Sequence, residues 1–314
     1  MKILMIGNKE SGKTTYMASA FGVLNDGISG FYIHTDTTTR EWFQRLYKQI
    51  GRGYYPDYTD KRGSYHFQLF HNQRSVLDFD WIDYNGGVIT DTSIEKLKND
   101  IDTADGMMIF LDAEALLNND IVTHRFRRII ALISEKLESG DSPLFSVIIV
   151  LTKYDKLPAD TDIESVTKSI KPFIDDADEN EKLYIRVVPV SCTEKGFYNV
   201  DLPLLDILDS GLRLSILTAA FEAKYYTEQF ADRANKTGVI DWGVSRLMGL
   251  KTNGELAKEY RNKALERIAL FETIKMPMEI LSDYVANYVV TYPKGGGISK
   301  KITRRQSTVD FIDL

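Results

Sequence analysis

Short apolar runs alternate with amphipathic stretches from Lys2 to about Ser191. The runs, several of them β-branched, predict buried strands at 3–6, 31–34, 65–70, 76–82, 107–111, 147–151 and 184–190. Three- and four-residue spacing of apolar side chains predicts helices at 13–24, 39–50, 121–137 and 163–174, with another after Leu202. Strands separated by helices are typical of a mostly parallel sheet flanked by helices, so the pattern predicts an α/β fold.

The pattern changes beyond about Leu217, where helical spacing continues without a convincing buried strand. The clearest stretches predict helices at 255–274 and 278–289. Three glycines and a basic run at 300–305 follow, which is typical of a flexible tail. The predicted organisation is an α/β domain at 1–215, a helical appendage at 216–293 and a flexible basic tail at 294–314.

Composition narrows the class of protein. The 314 residues are 43% hydrophobic, and the formal charge is −6 with a sequence pI near 5.4. This acidic balance argues against stable nucleic-acid binding. The single cysteine, Cys192, excludes an internal disulfide framework and a Cys-rich zinc site, so we expect a reducing, cytoplasmic setting. No apolar stretch reaches the length of about 20 residues that a transmembrane helix needs.

A phosphate-binding pattern stands near the start of the chain. The run Gly7-Asn8-Lys9-Glu10-Ser11-Gly12-Lys13-Thr14 matches GxxxxGK(S/T) between a predicted strand and a predicted helix. Its glycines let the backbone curl, so that amide hydrogens at a helix N-terminus face a phosphate. We expect Lys13 to reach the β- and γ-phosphates and Thr14 to bind Mg²⁺, while Lys9 leans towards the phosphates or stays in solvent. The predicted phosphate-side residues are Gly7, Lys9, Glu10, Ser11, Gly12, Lys13, Thr14 and Thr15.

Two later segments bear on the choice of base. Thr152-Lys153-Tyr154-Asp155 follows a predicted strand and resembles the (N/T)KxD element of GTPases, in which the aspartate accepts two hydrogen bonds from guanine. Adenine offers no such pair of donors. Ser191-Cys192-Thr193 follows the next strand, where GTPases carry a loop that contacts guanine O6. The predicted base-side residues are Thr152, Lys153, Asp155, Ser191, Cys192 and Thr193.

A further motif follows the predicted strand 76–82. Asp83-Tyr84-Asn85-Gly86 fits the DxxG element, in which Asp83 holds Mg²⁺ through water and the Gly86 amide senses the γ-phosphate. A hairpin turn is the alternative, because Asn-Gly is also a strong turn signal.

With these motifs the chain resembles the TRAFAC class of P-loop GTPases from Met1 to about Leu214. The phosphate loop is similar to that of heterotrimeric G-protein alpha subunits and of signal-recognition-particle receptor beta subunits. The remainder resembles bacterial GTPases of multigene conflict or defence systems, including double-GTPase partners. The resemblance implies a small-GTPase-like domain that binds GTP or GDP with Mg²⁺.

The resemblance also implies a threonine that binds the metal from switch I. Thr59 is preferred, because in the class this residue lies just before the strand that precedes DxxG. The cluster Thr35 to Thr39 is the alternative, although Thr38 or Thr39 is also predicted as the N-cap of a helix. Lys13, Thr59 and Gly86 are the predicted catalytic residues.

One departure from the class affects hydrolysis. Gly87 stands where many small GTPases carry a glutamine that positions water, so slow intrinsic hydrolysis is expected. Arg40, Arg52 and Arg62 are candidates for a stabilising cation within the chain, and a surface role is the alternative for each. A partner protein is another source of that group.

The expected function is a GTP-hydrolysing switch that regulates a protein partner or a second GTPase subunit. The alternatives are a nucleotide-loaded scaffold with little turnover and a P-loop kinase or ATPase. Aromatic and aliphatic side chains at helical spacing in the appendage are expected to form core, and an exposed stripe for a protein partner is the alternative. These side chains are Phe221, Tyr225, Tyr226, Phe230, Leu265, Ile268, Leu270 and Phe271.

Overall fold

The computed structural model of the chain describes residues 1–56, 63–84, 91–118, 120–138, 145–158, 160–178, 180–237, 245 and 250–287. Strands in this part of the chain form a seven-stranded sheet with the order β2-β3-β4-β1-β5-β6-β7. The β2–β3 and β3–β4 pairs are antiparallel, and the other pairs are parallel. The strands are β1 (Lys2–Gly7), β2 (Phe31–His34), β3 (Gly63–His71), β4 (Arg74–Asp83), β5 (Gly106–Asp112), β6 (Phe145–Thr152) and β7 (Leu183–Pro189).

All seven predicted strands are confirmed, and the α/β fold with a mostly parallel sheet is confirmed with them. The central strands are buried on both faces, and every residue of β6 is buried. Parallel strands covered by helices on both sides have this continuous apolar character. The sheet therefore presents the carboxyl ends of β1, β4, β5, β6 and β7 at one edge, where the connecting loops meet.

Helices flank the sheet and continue beyond it. They are α1 (Lys13–Asn25), α2 (Thr37–Ile50), α3 (Asp91–Asp102), α4 (Ala113–Asn118), α5 (Asp120–Glu138), α6 (Ile163–Thr167), α7 (Lys171–Asp178), α8 (Leu202–Asn235) and α9 (Asn253–Asn287). The helices predicted at 13–24, 39–50 and 121–137 are confirmed. The sequence pattern did not predict α3 or α4.

Local hydrogen bonds explain two differences from the predicted helices. The N-cap of α2 is Asp36, whose carboxylate accepts a hydrogen bond from the Thr39 amide at 3.0 Å, so the predicted cap at Thr38 or Thr39 is wrong. The carboxylate competes well for this position because it accepts a charge-assisted bond. The helix predicted at 163–174 is divided into α6 and α7, and the Ile170 amide donates to the Thr167 carbonyl at 2.9 Å in the turn between them.

A short hairpin that the sequence did not predict follows β7. Its strands are β8 (Ser191–Thr193) and β9 (Gly196–Tyr198), paired antiparallel. Strands this short carry too few residues for a recognisable alternation. The hairpin begins with the segment that was predicted to contact the guanine base.

The described residues fall into two compact units. Among the described residues, one unit contains Met1–Gly211 and residues 281–287, and the other contains Leu212–Ile280. The predicted boundaries at 215 and 293 stay predictions. Helix α9 runs through Pro277 without interruption, whereas two separate helices, 255–274 and 278–289, were expected. A proline removes one backbone donor but does not always end a helix.

In the unit Leu212–Ile280, aromatic and charged side chains of α8 and α9 contact one another. Tyr226 stacks on Tyr260 with 6.2 Å between ring centroids, and Arg267 pairs with Glu222 at 2.7 Å. Its buried alanines are Ala219, Ala223, Ala257 and Ala264. Five of the side chains expected in a core are exposed instead, namely Phe221, Tyr225, Leu265, Ile268 and Leu270. Among the described helices, none is both long and apolar enough to cross a bilayer.

Candidate nucleotide-binding site

The loop between β1 and α1 is curled by two residues with left-handed backbone. Glu10 has φ of 62° and Gly12 has φ of 84°, while the Ser11 amide donates to the Asn8 carbonyl at 3.2 Å. Gly7 is required for close packing, because a Cβ atom there would lie 2.5 Å from Ser11 Oγ and 2.8 Å from the Phe110 carbonyl oxygen. The loop therefore has the compact shape that turns successive amides inward.

Lys13 is the first residue of α1 and folds back over this loop. Its Nζ donates to the Gly7 carbonyl at 3.2 Å and to the Asn8 carbonyl at 3.3 Å. Burial lowers the pKa of Lys13, and the nearby Asp83 carboxylate acts in the opposite direction. The ammonium group is thus held inside the loop, where an anion would receive little competition from water.

The loop opens on a cavity of about 260 Å³ in the unit that contains the sheet. Most of the predicted binding residues line it. Gly7 and Ser191 do not, and the residues that the sequence pattern missed are Tyr55, Pro56, Lys156 and Val190. The predicted residues on the cavity are Lys9, Glu10, Ser11, Gly12, Lys13, Thr14, Thr15, Asp83, Thr152, Lys153, Asp155, Cys192 and Thr193.

Asp83 ends β4 beside β1, where it pairs in register with Met5. Its side chain is buried, and Oδ1 has no hydrogen-bond partner among the described residues. Burial raises the pKa of Asp83 to about 6, although Lys13 opposes this shift. A buried carboxylate oxygen without a partner, on the same cavity as the Thr14 hydroxyl, fits a hard divalent cation such as Mg²⁺.

Thr152 joins the predicted base side to the phosphate loop. Its buried hydroxyl lies 2.7 Å from the Ser11 carbonyl oxygen and 3.2 Å from the Leu111 carbonyl oxygen. A Cβ atom on Gly12 would be 3.4 Å from the Thr152 side chain. The Thr152 hydroxyl thus holds the loop in place, which is a structural task in addition to its position on the cavity.

The next residues place a carboxylate on the cavity. Lys153 has left-handed backbone with φ of 53°, and its Nζ pairs with Asp112 at 2.6 Å. The one-turn helix Tyr154–Lys156 follows, and Asp155 in it lines the cavity. Ser191 donates a hydrogen bond to Asp155 Oδ1 at 2.8 Å, so this residue orients the carboxylate although it does not line the cavity.

Cys192 lies beside this carboxylate, in the first strand of the hairpin. Burial raises the pKa of its thiol to about 12, partly offset by a hydrogen bond with Ser19. A thiol with so high a pKa stays protonated near neutral pH, so it contributes shape here and not charge.

The threonines at 35 and 37–39, which were the alternative for the switch I residue, lie away from the cavity. The Thr35 hydroxyl is buried and donates to the His66 carbonyl at 2.7 Å, and Thr37 to Thr39 open α2. None of the cluster lines the cavity, whereas Tyr55 and Pro56 do. Thr59, Gly86, Gly87 and Arg62 lie outside the described residues.

Of the three arginines considered as a stabilising cation, Arg40 and Arg52 lie in the part of the chain that the structure describes. Arg40 and Arg52 do not line the cavity. Arg125 of α5, which the sequence pattern did not single out, donates to Asn8 Oδ1 at 2.7 Å. No local motif marks this contact, since the two residues are 117 positions apart.

The site combines a strand, a curled loop and a helix whose first residue is a half-buried lysine, and an aspartate on a neighbouring loop lines the same cavity. This combination defines a P-loop protein of the GTPase class. The family model Double-GTPase 2 matches residues 3–197, and the chain belongs to this family. The TRAFAC-type resemblance is thereby confirmed. A search of the curated proteins finds no match to this chain.

Several solved structures are similar to the chain. A bacterial selenocysteine-specific elongation factor, EF-Sec, is 19% identical with a TM-score of 0.37, and the match covers 67% of this chain and 29% of that one. The mammalian SRP receptor is 14% identical with a TM-score of 0.41, covering 66% of this chain and 100% of that one. A GTP-binding protein from Sulfolobus solfataricus in complex with GDP is 14% identical with a TM-score of 0.37, covering 66% and 50%.

Proposed function

We propose that this protein is a Mg²⁺-dependent molecular switch that binds GTP and hydrolyses it slowly to GDP and phosphate. One observation carries the proposal. The Lys13 ammonium group and the Asp155 carboxylate open on the same cavity, and Ser191 orients that carboxylate. The cavity thus has a cationic side suited to phosphates and an acceptor side suited to a base with paired donors.

The acceptor side favours guanine over adenine. Guanine presents N1–H and the N2 amino group as neighbouring donors, and one carboxylate can accept from both. Adenine has no such pair of donors on this edge. Asp155 would therefore lose its hydrogen bonds to water without gaining new ones from the base. An unsatisfied group of this kind costs about 1–3 kcal/mol, more when it is charged.

The phosphate side uses the chain's own donors. The amides of residues 9–14 and the Lys13 ammonium group would bind the β- and γ-phosphates, and Ser11 Oγ, which has no partner among the described residues, is available nearby. Thr14 and Asp83 would hold Mg²⁺, with Thr59 as the proposed third contact from switch I. A cation held there would supply positive charge that offsets the charge developing on the phosphate oxygens.

The proposed switch depends on two segments that respond to the γ-phosphate. Tyr55 and Pro56 line the cavity, which supports Thr59, a few residues further on, over the cluster at Thr35 to Thr39. Gly86, three residues after Asp83, would sense the γ-phosphate through its amide. Because Gly87 carries no side chain to position water, hydrolysis without a partner is slow.

A protein partner or second GTPase subunit is part of this proposal. The exposed side chains Phe221, Tyr225, Leu265, Ile268 and Leu270 support a partner surface in the helical unit. The resemblance to GTPases of bacterial multigene systems favours a cytoplasmic role in defence. The acidic composition favours a protein partner over nucleic acid.

The base-recognition step is tested by changing the base and the carboxylate together. Asp155→Asn keeps the shape but replaces one acceptor by a donor, which suits the 2-oxo group of xanthine. We expect the wild type to bind fluorescent GDP over ADP, and Asp155→Asn to bind xanthosine diphosphate over GDP, in titrations with Mg²⁺. Asp160→Asn, an exposed carboxylate off the cavity, is the matched control. Equal binding of ADP and GDP by the wild type contradicts the proposal.

A second candidate function is a nucleotide-loaded scaffold with little turnover, which Gly87 favours. Single-turnover hydrolysis of labelled GTP by excess protein separates the two. Phosphate release with Mg²⁺, lost in Lys13→Ala, supports the switch. Release no faster than in Lys13→Ala supports the scaffold.

A further inference from the structure

Two segments far apart in the sequence meet beside the nucleotide cavity. The Tyr55 hydroxyl donates a hydrogen bond to Glu194 Oε2 at 3.1 Å, across a separation of 139 residues. Tyr55 lines the cavity while half of its surface is exposed, so it lies at the rim. Glu194 directly follows Thr193, which also lines the cavity, in the turn of the β8–β9 hairpin.

Tyr55 and Pro56 differ from the rest of the cavity wall. Most other lining residues belong to the phosphate loop or to the Thr152–Lys156 loop. Asp83 ends β4, Val190 joins β7 to β8 and donates to the Leu151 carbonyl of β6 at 2.8 Å, and the others lie in β8. Tyr55 and Pro56 belong to neither a helix nor a strand, and they neither end a strand of the sheet nor adjoin one.

The hairpin gives this segment a fixed support. The Phe197 ring of β9 packs against Tyr47 of α2, with 4.9 Å between ring centroids. The turn after α2 also approaches the hairpin, since a Cβ atom on Gly53 would lie 3.8 Å from Glu194 Oε2. The turn that carries Glu194 is thus held by contacts with α2 and the residues after it. Tyr55, which it binds, lies outside any helix or strand.

We propose that Tyr55 and Glu194 form a latch that closes the rim of the cavity and slows the release of bound nucleotide. The latch rests on the proposed function, because it assigns a kinetic role in that same cavity. It predicts that the segment leading to switch I and the base-side hairpin separate when nucleotide leaves.

The chemistry of the pair suits a bond that is formed at neutral pH. Burial, followed by the interaction with Glu194, raises the pKa of Tyr55 to about 12. Hydrogen bonds from its own backbone amide and from Tyr55 lower the pKa of Glu194. The phenol is therefore protonated and the carboxylate ionised, which is the pairing that gives a charge-assisted hydrogen bond.

The test measures how fast fluorescent GDP leaves the full-length protein when it is chased with excess unlabelled GDP. Tyr55→Phe removes only the hydroxyl, and Glu194→Gln removes only the charge. We expect each to accelerate dissociation about three- to tenfold, the range for losing one partly exposed, charge-assisted bond. Because both act on one bond, the double variant should dissociate no faster than the faster single variant.

Tyr54→Phe is the matched control, since Tyr54 is an exposed neighbour that does not line the cavity, and its dissociation rate should equal that of the wild type. Unchanged rates in both single variants, or multiplied effects in the double variant, overturn the latch.

The same assay keeps the latch separate from the proposed function. If the wild type holds fluorescent ADP as well as GDP, guanine selectivity fails, and the latch is tested with labelled ADP on the same variants. If the wild type retains neither nucleotide, both proposals are overturned.

Discussion

Two groups of buried polar side chains in the sheet-containing unit differ in whether the protein supplies their partners. At the cavity, Asp83 Oδ1 and Ser11 Oγ have no hydrogen-bond partner among the described residues. Elsewhere in this unit, Arg186 of β7 pairs with Asp206 of α8 at 2.8 Å. The same Nη1 atom of Arg186 donates to the Val285 carbonyl at 3.2 Å. Both groups are buried, so burial alone does not explain the difference.

The second group extends along α8 to the end of α9. Tyr184 donates to Asp206 at 3.2 Å, Ser282 donates to Asp209, and Tyr284 donates to Asp201 at 2.6 Å. Apart from Arg186 Nε, which has no hydrogen-bond partner in the described part of the chain, these side chains form hydrogen bonds. We call it the α8–α9 polar cluster, defined by Tyr184, Arg186, Asp201, Asp206, Asp209, Ser282, Tyr284 and the Val285 carbonyl.

In these two groups the contrast follows position, since the unpaired atoms of the first group belong to residues that line the cavity. Paired polar groups fix one arrangement of the elements that they join. Unpaired polar groups beside a cavity lower the stability of the ligand-free protein. A ligand that supplies their partners raises it again. The α8–α9 polar cluster therefore fastens residues 281–287 to the sheet-containing unit, while the cavity stores binding energy for a nucleotide and its cation.

The largest expected effect comes from breaking the cluster. Arg186→Ala leaves Asp206, which is 0% exposed, without its counter-charge. We expect the free energy of unfolding in urea to fall by about 3–5 kcal/mol, with unchanged GDP affinity of the folded protein. Lys171→Ala, which breaks an exposed pair with Asp175, should cost at most about 0.5 kcal/mol. If Arg186→Ala lowers the free energy of unfolding by less than about 1 kcal/mol, the α8–α9 polar cluster does not have the stabilising role that separates it from the cavity.

An intermediate effect, of opposite sign, is expected at the cavity. Asp83→Asn removes a carboxylate whose pKa burial has raised, so that its ionised form destabilises the free protein at neutral pH. We expect the free energy of unfolding to rise by about 1–3 kcal/mol, while the gain in GTP affinity on adding Mg²⁺ is lost. Asp80→Asn, an exposed carboxylate on the same strand, is the control. Lower stability together with retained Mg²⁺ dependence would contradict the assignment.

The smallest effect concerns reactivity and not stability. Cys192 is the only cysteine, so a thiol reagent reports on the cavity alone. Since burial raises its thiol pKa to about 12, alkylation should be slow at neutral pH and should rise about tenfold per pH unit through pH 9 without a plateau. Bound GDP should slow it further.

The matched measurement is the same labelling in urea, where an ordinary thiol titrates near pH 8.5, about the value for free cysteine. If labelling of the native protein levels off at that pH, burial does not raise the pKa of the Cys192 thiol.

The parts of this fold that sequence predicts are those with local signals. Short apolar runs, several of them β-branched, predicted every strand of the main sheet, and the phosphate loop was identified because its glycines and lysine have fixed spacing. The α8–α9 polar cluster joins Arg186 to Val285 across 99 residues, so no local pattern marks it. Tyr55 on the cavity was missed for the same reason, since its partner Glu194 lies far along the chain.

The prediction that aromatic side chains form core in the appendage failed for a related physical reason. Helical spacing identifies a face of a helix but not what covers that face. In the unit Leu212–Ile280, alanines such as Ala223 and Ala264 are buried, while Phe221 and Tyr225 are exposed. Small residues therefore occupy buried positions here, and these large side chains stay at the surface.

Gly22, in the middle of α1, couples side-chain size on that helix to the hairpin. A Cβ atom at this position would lie 2.3 Å from the Tyr47 ring, which also packs against Phe197 of the hairpin. A single methyl group there would force the Tyr47 ring to shift against the hairpin that carries Glu194. We therefore expect Gly22→Ala to change the rate at which labelled GDP dissociates, although position 22 does not line the cavity.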